Sequence, residues 1–480
     1  MVAINRSMTA QYQQHQDTYF FNSEAALRHA SALRTENQGY WMQCCYYDGE
    51  KLSTNLPNLF HQPFETLTSD LAEGSHRIPT AVSFENTNFP RLEIEQLHRS
   101  FRSTVAQAKV FREEFNRLYL KALANVNLDF NEPLRFYLQA HKNTRVMRHA
   151  IQHIATAIQD LGYEVLFKLF NGTEDEQSTR EIFEFNPHVT ININWLNQYT
   201  SAKVFNFVWI QDAMEWLISE DTLIKLRERD KVFHLTEYIC HLLQNRGVQS
   251  EYQPFCVNTR IFKRRDHIRR RKKIVMIGSS YKSEWDLIAS PKKHSLCETF
   301  LNHYLTKGHI SRSERVKLQA KNPDVAADIE NIIKYVERDL LLKHILNMGL
   351  DIDIEVYGYG WDQDSDFHAF HKGELSYGEE VSKEYNRATY ALVIGGYVLQ
   401  QRTLEAAASG AIPLVLEPQE QSSIQEKKKY ENSLVFFKKP SEIRRVLEDH
   451  PTPDLAYVVS DNSFQKFAKK MIAYVEETAS

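Results

Sequence analysis

Arg402 and Glu405 stand three residues apart in the run Arg402-Thr403-Leu404-Glu405-Ala406. On a helix that spacing puts both side chains on one face. A carboxylate there can accept both hydroxyls of a ribose, and a guanidinium beside it can grip a diphosphate in fork geometry. A salt bridge along the helix surface would use the same spacing. The next five residues, Ala406-Ala407-Ala408-Ser409-Gly410, make the helix slim enough to lie close on a sheet. Gly278-Ser279-Ser280 follows the apolar run KIVMI. Backbone N–H groups and hydroxyls at such a turn suit a diphosphate, and a tight structural turn explains the same residues equally well. Tyr357 and Gly358, with Gly373 and Tyr377 further on, offer an aromatic face and backbone amides for a nucleobase. Aromatics also fill cores, and Trp361 fits that role. Asp362, Asp364 and Asp366 mimic a metal-binding pattern. A solvated acidic loop is the ordinary outcome, so neither a metal nor a cofactor is expected.

Such residues need strand ends to present them. From 352 to 416 short apolar runs alternate with helical ones, which means a parallel sheet wrapped by helices. Ligands sit beyond the carboxyl ends of strands in such sheets. Gly278, Gly358, Gly360, Gly395, Gly396, Arg402 and Glu405 all fall there. No P-loop and no complete G-x-G-x-x-G occurs, which counts against an ATPase or a dehydrogenase. The alternation begins at Pro133, with strands expected over 134–140, 164–170, 189–194, 203–210 and 230–234. The expected organisation is an α-rich extension over 1–130, a first Rossmann-like domain over 131–262 and a basic linker over 263–273. A second Rossmann-like domain over 274–440, with a helical insertion over 286–328, and a helical segment over 441–480 complete it. In the extension, a helix starts at Asn22 or Ser23, and Asp48-Gly49 suggests a hairpin over 40–52. Apolar residues stepping by threes and fours predict one helix over 92–124, its stripe packed on the same chain or, as the minority reading, on a second copy.

The 480 residues carry a formal net charge of −4, which gives no general pull toward nucleic acid or an anionic membrane. The exception is the linker, where Lys and Arg dominate from Lys263 to Lys273. A solvated hinge is the ordinary fate of such a run, and a phosphate-facing role is the alternative. No apolar run reaches the roughly 20 residues that span a bilayer. The five cysteines are scattered, with no C-x-x-C pair, so no disulfide framework or structural zinc is expected. The chain is expected to be cytoplasmic with reduced thiols.

The order Tyr357-Gly358-Tyr359-Gly360-Trp361, Gly373 with Tyr377, Tyr385-Asn386, then Arg402 through Gly410 resembles the nucleotide-sugar half of GT-B glycosyltransferases. It is most similar to the bacterial branch of spore-maturation and group 1 enzymes. The resemblance runs from about 272 to 418 and, more weakly, from 133 to 258. It implies two Rossmann-like domains facing across a cleft, and metal-independent transfer of a sugar from a UDP- or GDP-linked donor to an acceptor protein, lipid or glycan. An epimerase or hydrolase on the same scaffold, or an inactive nucleotide-sugar-binding protein, are the alternatives. The family's ribose-holding glutamate falls on Glu405. Many retaining relatives carry another glutamate eight residues earlier, where this chain has Tyr397, so a retaining mechanism is not implied. An inverting transfer needs a base for the acceptor proton. Asp212, in Trp209-Ile210-Gln211-Asp212, is the first candidate and His141 the second. His188, ahead of a strand, is a further one.

Overall fold

The computed structural model describes residues 17–36, 44–54, 56, 58–72, 78–141, 144–170, 175–196, 200–219, 223–308, 310, 312–395, 398–417 and 421–479. The chain divides into two compact units. The described residues up to Phe233, with Leu242–Glu251 and those from Ala473 on, form one; His234–His241 and Tyr252–Ile472 form the other.

The first unit opens with a small sheet of β1 (Thr18–Phe20), β2 (Cys45–Tyr47), β3 (Leu59–His61) and β4 (Ala81–Ser83), in the order β3-β2-β1-β4. Every neighbouring pair is parallel. The hairpin expected over 40–52 is therefore corrected. Gly49 does turn the chain, at φ +94°. The chain leaves β2 there and returns as β3 alongside it in the same direction, so no antiparallel partner forms. Residues 40–43 lie outside the described residues. The helix Ser23–Glu36 starts where expected, with the Ala25 N–H donating to Asn22 Oδ1 at 2.8 Å. The helix Arg91–Ala124 is unbroken over its 34 residues. Phe101, Ala108 and Leu123 are buried on one side, while Phe111, Phe115 and Leu118, in the same stripe, are about half exposed.

The larger sheet contains β5 (Arg135–His141), β6 (Glu164–Phe170), β7 (Val189–Ile193), β8 (Phe205–Ile210), β9 (Asp230–His234) and β10 (Glu251–Tyr252). Its order is β10-β9-β8-β7-β5-β6. Each residue of β7 and β8 is buried, as both faces of a covered parallel sheet require. The helix Asp175–Phe185 was not foreseen. Its polar sequence hides a short apolar side, of which Ile182 is buried against Tyr137 and Leu123.

The second unit is built on β11 (Arg271–Ile277), β12 (Asp353–Tyr357), β13 (Ala388–Val393), β14 (Ile412–Leu416) and β15 (Val435–Phe437). The order is β12-β11-β13-β14-β15, all parallel. Alternate residues feed two cores. Ile274 and Met276 face one with Val356 and Leu392; Val275 faces the other with Ala391 and Leu404. The strand order reverses between β11 and β13, the switch point at which doubly wound sheets hold ligands.

The basic stretch at the start of β11 is neither a free hinge nor a phosphate site along its whole length. Arg270 donates to the carbonyls of Ala388, Gly410 and Ser409. Lys273 is buried between Glu355 and Glu384. Asn386 holds the linker backbone, accepting from the Arg265 N–H at 2.7 Å and donating to the Lys263 carbonyl at 2.9 Å. The Arg265 and Arg270 contacts lie at the amino end of β11, about 20 Å from its carboxyl end at ~3.3 Å per residue, and Lys273 lies four residues short of that end.

Candidate functional site

The turn after β11 is built for close approach. Gly278 donates its N–H to the Tyr357 carbonyl at 2.9 Å and accepts from Trp361 Nε1 at 2.6 Å. A Cβ on Gly278 would lie 2.5 Å from Arg402 Nη1, so only glycine leaves room for that guanidinium. Gly358, at φ +133°, would drive a Cβ to within 2.4 Å of the Gly278 carbonyl oxygen. Its N–H donates to the Gly373 carbonyl at 3.0 Å, which ties the 370–373 segment to the end of β12. The glycines thus bring two strand ends and one arginine together at a single turn.

A second arginine reaches that turn from the helix ahead of β12, which the sequence predicts over 329–348. The helix leading to β12 is interrupted by a π-turn at Val336–Leu340. Such insertions rotate side chains out of the helical register and occur often at functional sites. Here they present Glu337, Arg338 and Asp339. Arg338 Nη1 donates to the Ser279 carbonyl at 3.2 Å, and its guanidinium lies 4.3 Å from the Tyr281 ring. Asp339 accepts from the Tyr281 N–H at 3.1 Å and from the Ser280 hydroxyl. Burial raises the Asp339 carboxyl to about 6, against the pull of those bonds. Glu337 accepts from the Tyr304 hydroxyl at 2.6 Å, and its other oxygen lies 3.2 Å from where a Cβ on Gly395 would stand.

Arg402 approaches from the Gln401–Ala408 helix, its Nη1 donating to the Ile277 carbonyl at 3.2 Å. Burial, and then the positive charge of Arg338, push its guanidinium down to about 10. Among the described residues neither arginine forms an ion pair, and Arg338 Nε is buried without a partner. Two cations at one glycine turn, with no carboxylate bridging them among the described residues, are arranged for an anion with oxygens on both sides.

Glu405 is 3% exposed. Its Oε1 accepts from the Tyr377 hydroxyl at 2.8 Å and from Gln401 Nε2 at 2.9 Å. Burial outweighs both bonds and the nearby Arg402, raising the carboxyl to about 7. The salt bridge that the Arg402–Glu405 spacing allowed does not form. Tyr377 packs 5.7 Å from Phe262, ring to ring.

Several candidate residues stand elsewhere than an open rim. Tyr357 is buried, and its hydroxyl donates to Glu355 at 2.9 Å and Glu384 at 3.2 Å, joining the Lys273 cluster. Thr403 is fully buried. Trp361 is a core residue. Asp364 and Asp366 pair with Lys343. Ser279 is exposed and Ser280 is held by Asp339. His188 Nδ1 accepts from the Arg135 N–H at 3.1 Å, which makes it part of the sheet's framework. Asp212 is exposed just past β8, with Asn194 Nδ2 donating to its carboxylate at 2.8 Å. The side chain of His141, and all of Gly396 and Tyr397, lie outside the described residues.

Residues 338–470 match the family model described as glycosyl transferase-like. No curated protein matches the chain. Among solved structures, the glycosyltransferase SnogD of Streptomyces nogalater is 10% identical, covering 72% of this chain and 100% of its own, at a TM-score of 0.37. A putative UDP-N-acetylglucosamine 2-epimerase of Listeria monocytogenes is 9% identical over 72% and 97%, at 0.36. TarM of S. aureus, in complex with UDP, is 12% identical over 60% and 52%, at 0.28. Scores this low fix neither activity nor ligand. Among the described residues no helix is long and apolar enough to cross a membrane. The matched stretch, which contains both arginines, the buried glutamate and the last three residues of the π-turn, is similar to that glycosyl transferase-like family.

Proposed function

We propose that this chain transfers a sugar from a nucleoside-diphosphate sugar, UDP- or GDP-linked, to a hydroxyl-bearing acceptor. The observation that carries the proposal is the pair Arg338 and Arg402 at the Gly278 turn, neither of them in an ion pair among the described residues. A leaving diphosphate gains charge as the sugar departs. Guanidiniums already fixed at its position lower the barrier without reorganising. They supply charge that a divalent cation supplies in other transferases, so the reaction is proposed to run without a metal. The ribose is assigned to Glu405, which stands one helical turn from Arg402. Ionised Glu405 accepts from ribose hydroxyls as it now accepts from Tyr377 and Gln401. The family match over 338–470 supports the same reading.

The test is a thermal-shift screen with UDP, GDP, ADP, CDP and TDP. A ligand at a hundred times its dissociation constant stabilises the fold by about 2.7 kcal/mol. One or two of the five are expected to do so. No shift with any of them contradicts the proposal.

A further inference from the structure

One cavity of the second unit is lined by none of the residues that meet at the Gly278 turn. It encloses about 820 Å³ and lies along the residues that follow β13 and β14. Leu399, in the turn before the Arg402 helix, lines it. Glu426, on the helix Gln421–Lys429, lines it from the next connection. The two touch, because the Leu399 backbone N–H donates to the Glu426 carboxylate. The cavity therefore begins three residues from Arg402.

Its walls carry three ammonium groups, Lys429, Lys466 and Lys470, and three carboxyl groups, Glu237, Glu426 and Asp461. Lys429 and Lys466 both pair with Asp461. Lys470 lies 3.5 Å from Gln253 Oε1. Charges so balanced leave no surplus for a polyanion. They suit a neutral ligand rich in hydroxyls. Glu426 stands apart from these pairs. It is 9% exposed, and the Tyr252 hydroxyl and the Leu399 N–H both donate to it. A carboxylate fixed by two donors at the wall of a cavity is placed as general bases are.

We propose that this cavity takes the acceptor, a sugar or other polyol, and that Glu426 accepts the proton of its reacting hydroxyl. The proposal rests on the donor reading above. In the step, the acceptor oxygen forms a bond to the anomeric carbon. The bond from that carbon to the diphosphate oxygen breaks, its electron pair leaving with the diphosphate toward Arg402 and Arg338. The hydroxyl proton passes to Glu426. Burial raises the Glu426 carboxyl to about 7, while Tyr252, Lys429 and the Leu399 N–H pull it down. His234, Glu237 and Lys470 share the cavity with it. The base is therefore ionised only as the pH passes about 7. Asp212, the base suggested by sequence, has no such enclosure.

The experiment pairs two measurements on the full chain. Calorimetry gives nucleoside-diphosphate affinity. Release of nucleoside diphosphate from UDP- and GDP-hexoses gives turnover, with water alone and with methyl α- and β-hexopyranosides as probes. Glu426→Gln is expected to keep the affinity within about twofold and to lower release by at least a hundredfold. Wild-type release should rise through a midpoint near pH 7. Tyr252→Phe should move that midpoint upward, because it removes a donor to the ionised form. Four outcomes overturn the assignment while leaving the donor site standing. Glu426→Gln releases product as fast as wild type; it loses nucleotide affinity in step with turnover; wild type binds nucleotide yet releases none from any donor; or Asp212→Asn abolishes release while Glu426→Gln does not. Failure of the wild type to bind any nucleoside diphosphate contradicts the donor reading, and this proposal with it.

Discussion

Gly278 has no side chain because Arg402 occupies the space that one would fill. Gly278→Ala puts a methyl 2.5 Å from Arg402 Nη1 and must displace the guanidinium. Nucleoside-diphosphate affinity is expected to fall roughly tenfold, about 1.4 kcal/mol, measured by calorimetry. Glu405→Gln keeps the shape of the side chain and removes its charge. It is expected to weaken the same ligand by roughly tenfold while circular dichroism stays unchanged; an unaltered affinity rejects the ribose assignment. The sequence announced both residues through their neighbours, glycines at strand ends and an arginine–glutamate pair opening a slim helix. It did not announce Tyr357, whose hydroxyl turns back to Glu355 and Glu384 instead of facing a base. The position of a tyrosine at a strand end is legible, but Glu384, one of the two carboxylates that take its hydroxyl inward, comes from a later helix.

At the scale of elements, the parallel alternation was legible because strand and helix periods differ and glycines punctuate them. The π-turn at Val336–Leu340 was not, since its residues read as ordinary helix. Asp339 is what joins the two. Asp339→Ala leaves the Tyr281 N–H and the Ser280 hydroxyl without their acceptor. A loss of about 1–3 kcal/mol of stability is expected, read as a lowered denaturation midpoint, together with weaker nucleotide binding. Equal midpoints for variant and wild type would contradict the role given to the π-turn. The small parallel sheet of β1 to β4 was hidden for another reason. Its strands are three residues each, too short for alternation to register, and Asp48-Gly49 carries a hairpin signal that the paired partners override.

For the whole molecule, three buried carboxyls lower stability as pH rises, while buried His149 and His153, pushed down to about 4, raise it up to about pH 6.5. Glu405 and Glu426 are raised to about 7 and Asp339 to about 6, in each case by burial first. The folded state holds these protons more tightly than the unfolded chain, whose carboxyls release them near 4. Their stabilising contribution is complete below about pH 4 and is lost as pH rises through 6 to 7. The melting temperature is therefore expected to fall from pH 6.5, where the histidine contribution is nearly complete, to pH 8. Glu405→Gln should recover at most about 3 kcal/mol of that loss at pH 8, seen as a flatter profile. A wild-type melting temperature that climbs over the same interval contradicts the protonation scheme.

Two guanidiniums set for one diphosphate are the core of the proposed function. Its most direct test is calorimetric titration of the best nucleoside diphosphate from the five into wild type, Arg338→Ala and Arg402→Ala. One site per chain is expected in the wild type, with at least tenfold weaker binding in each variant. Wild-type protein that binds none of the five, or variants that bind as tightly as wild type, would contradict it.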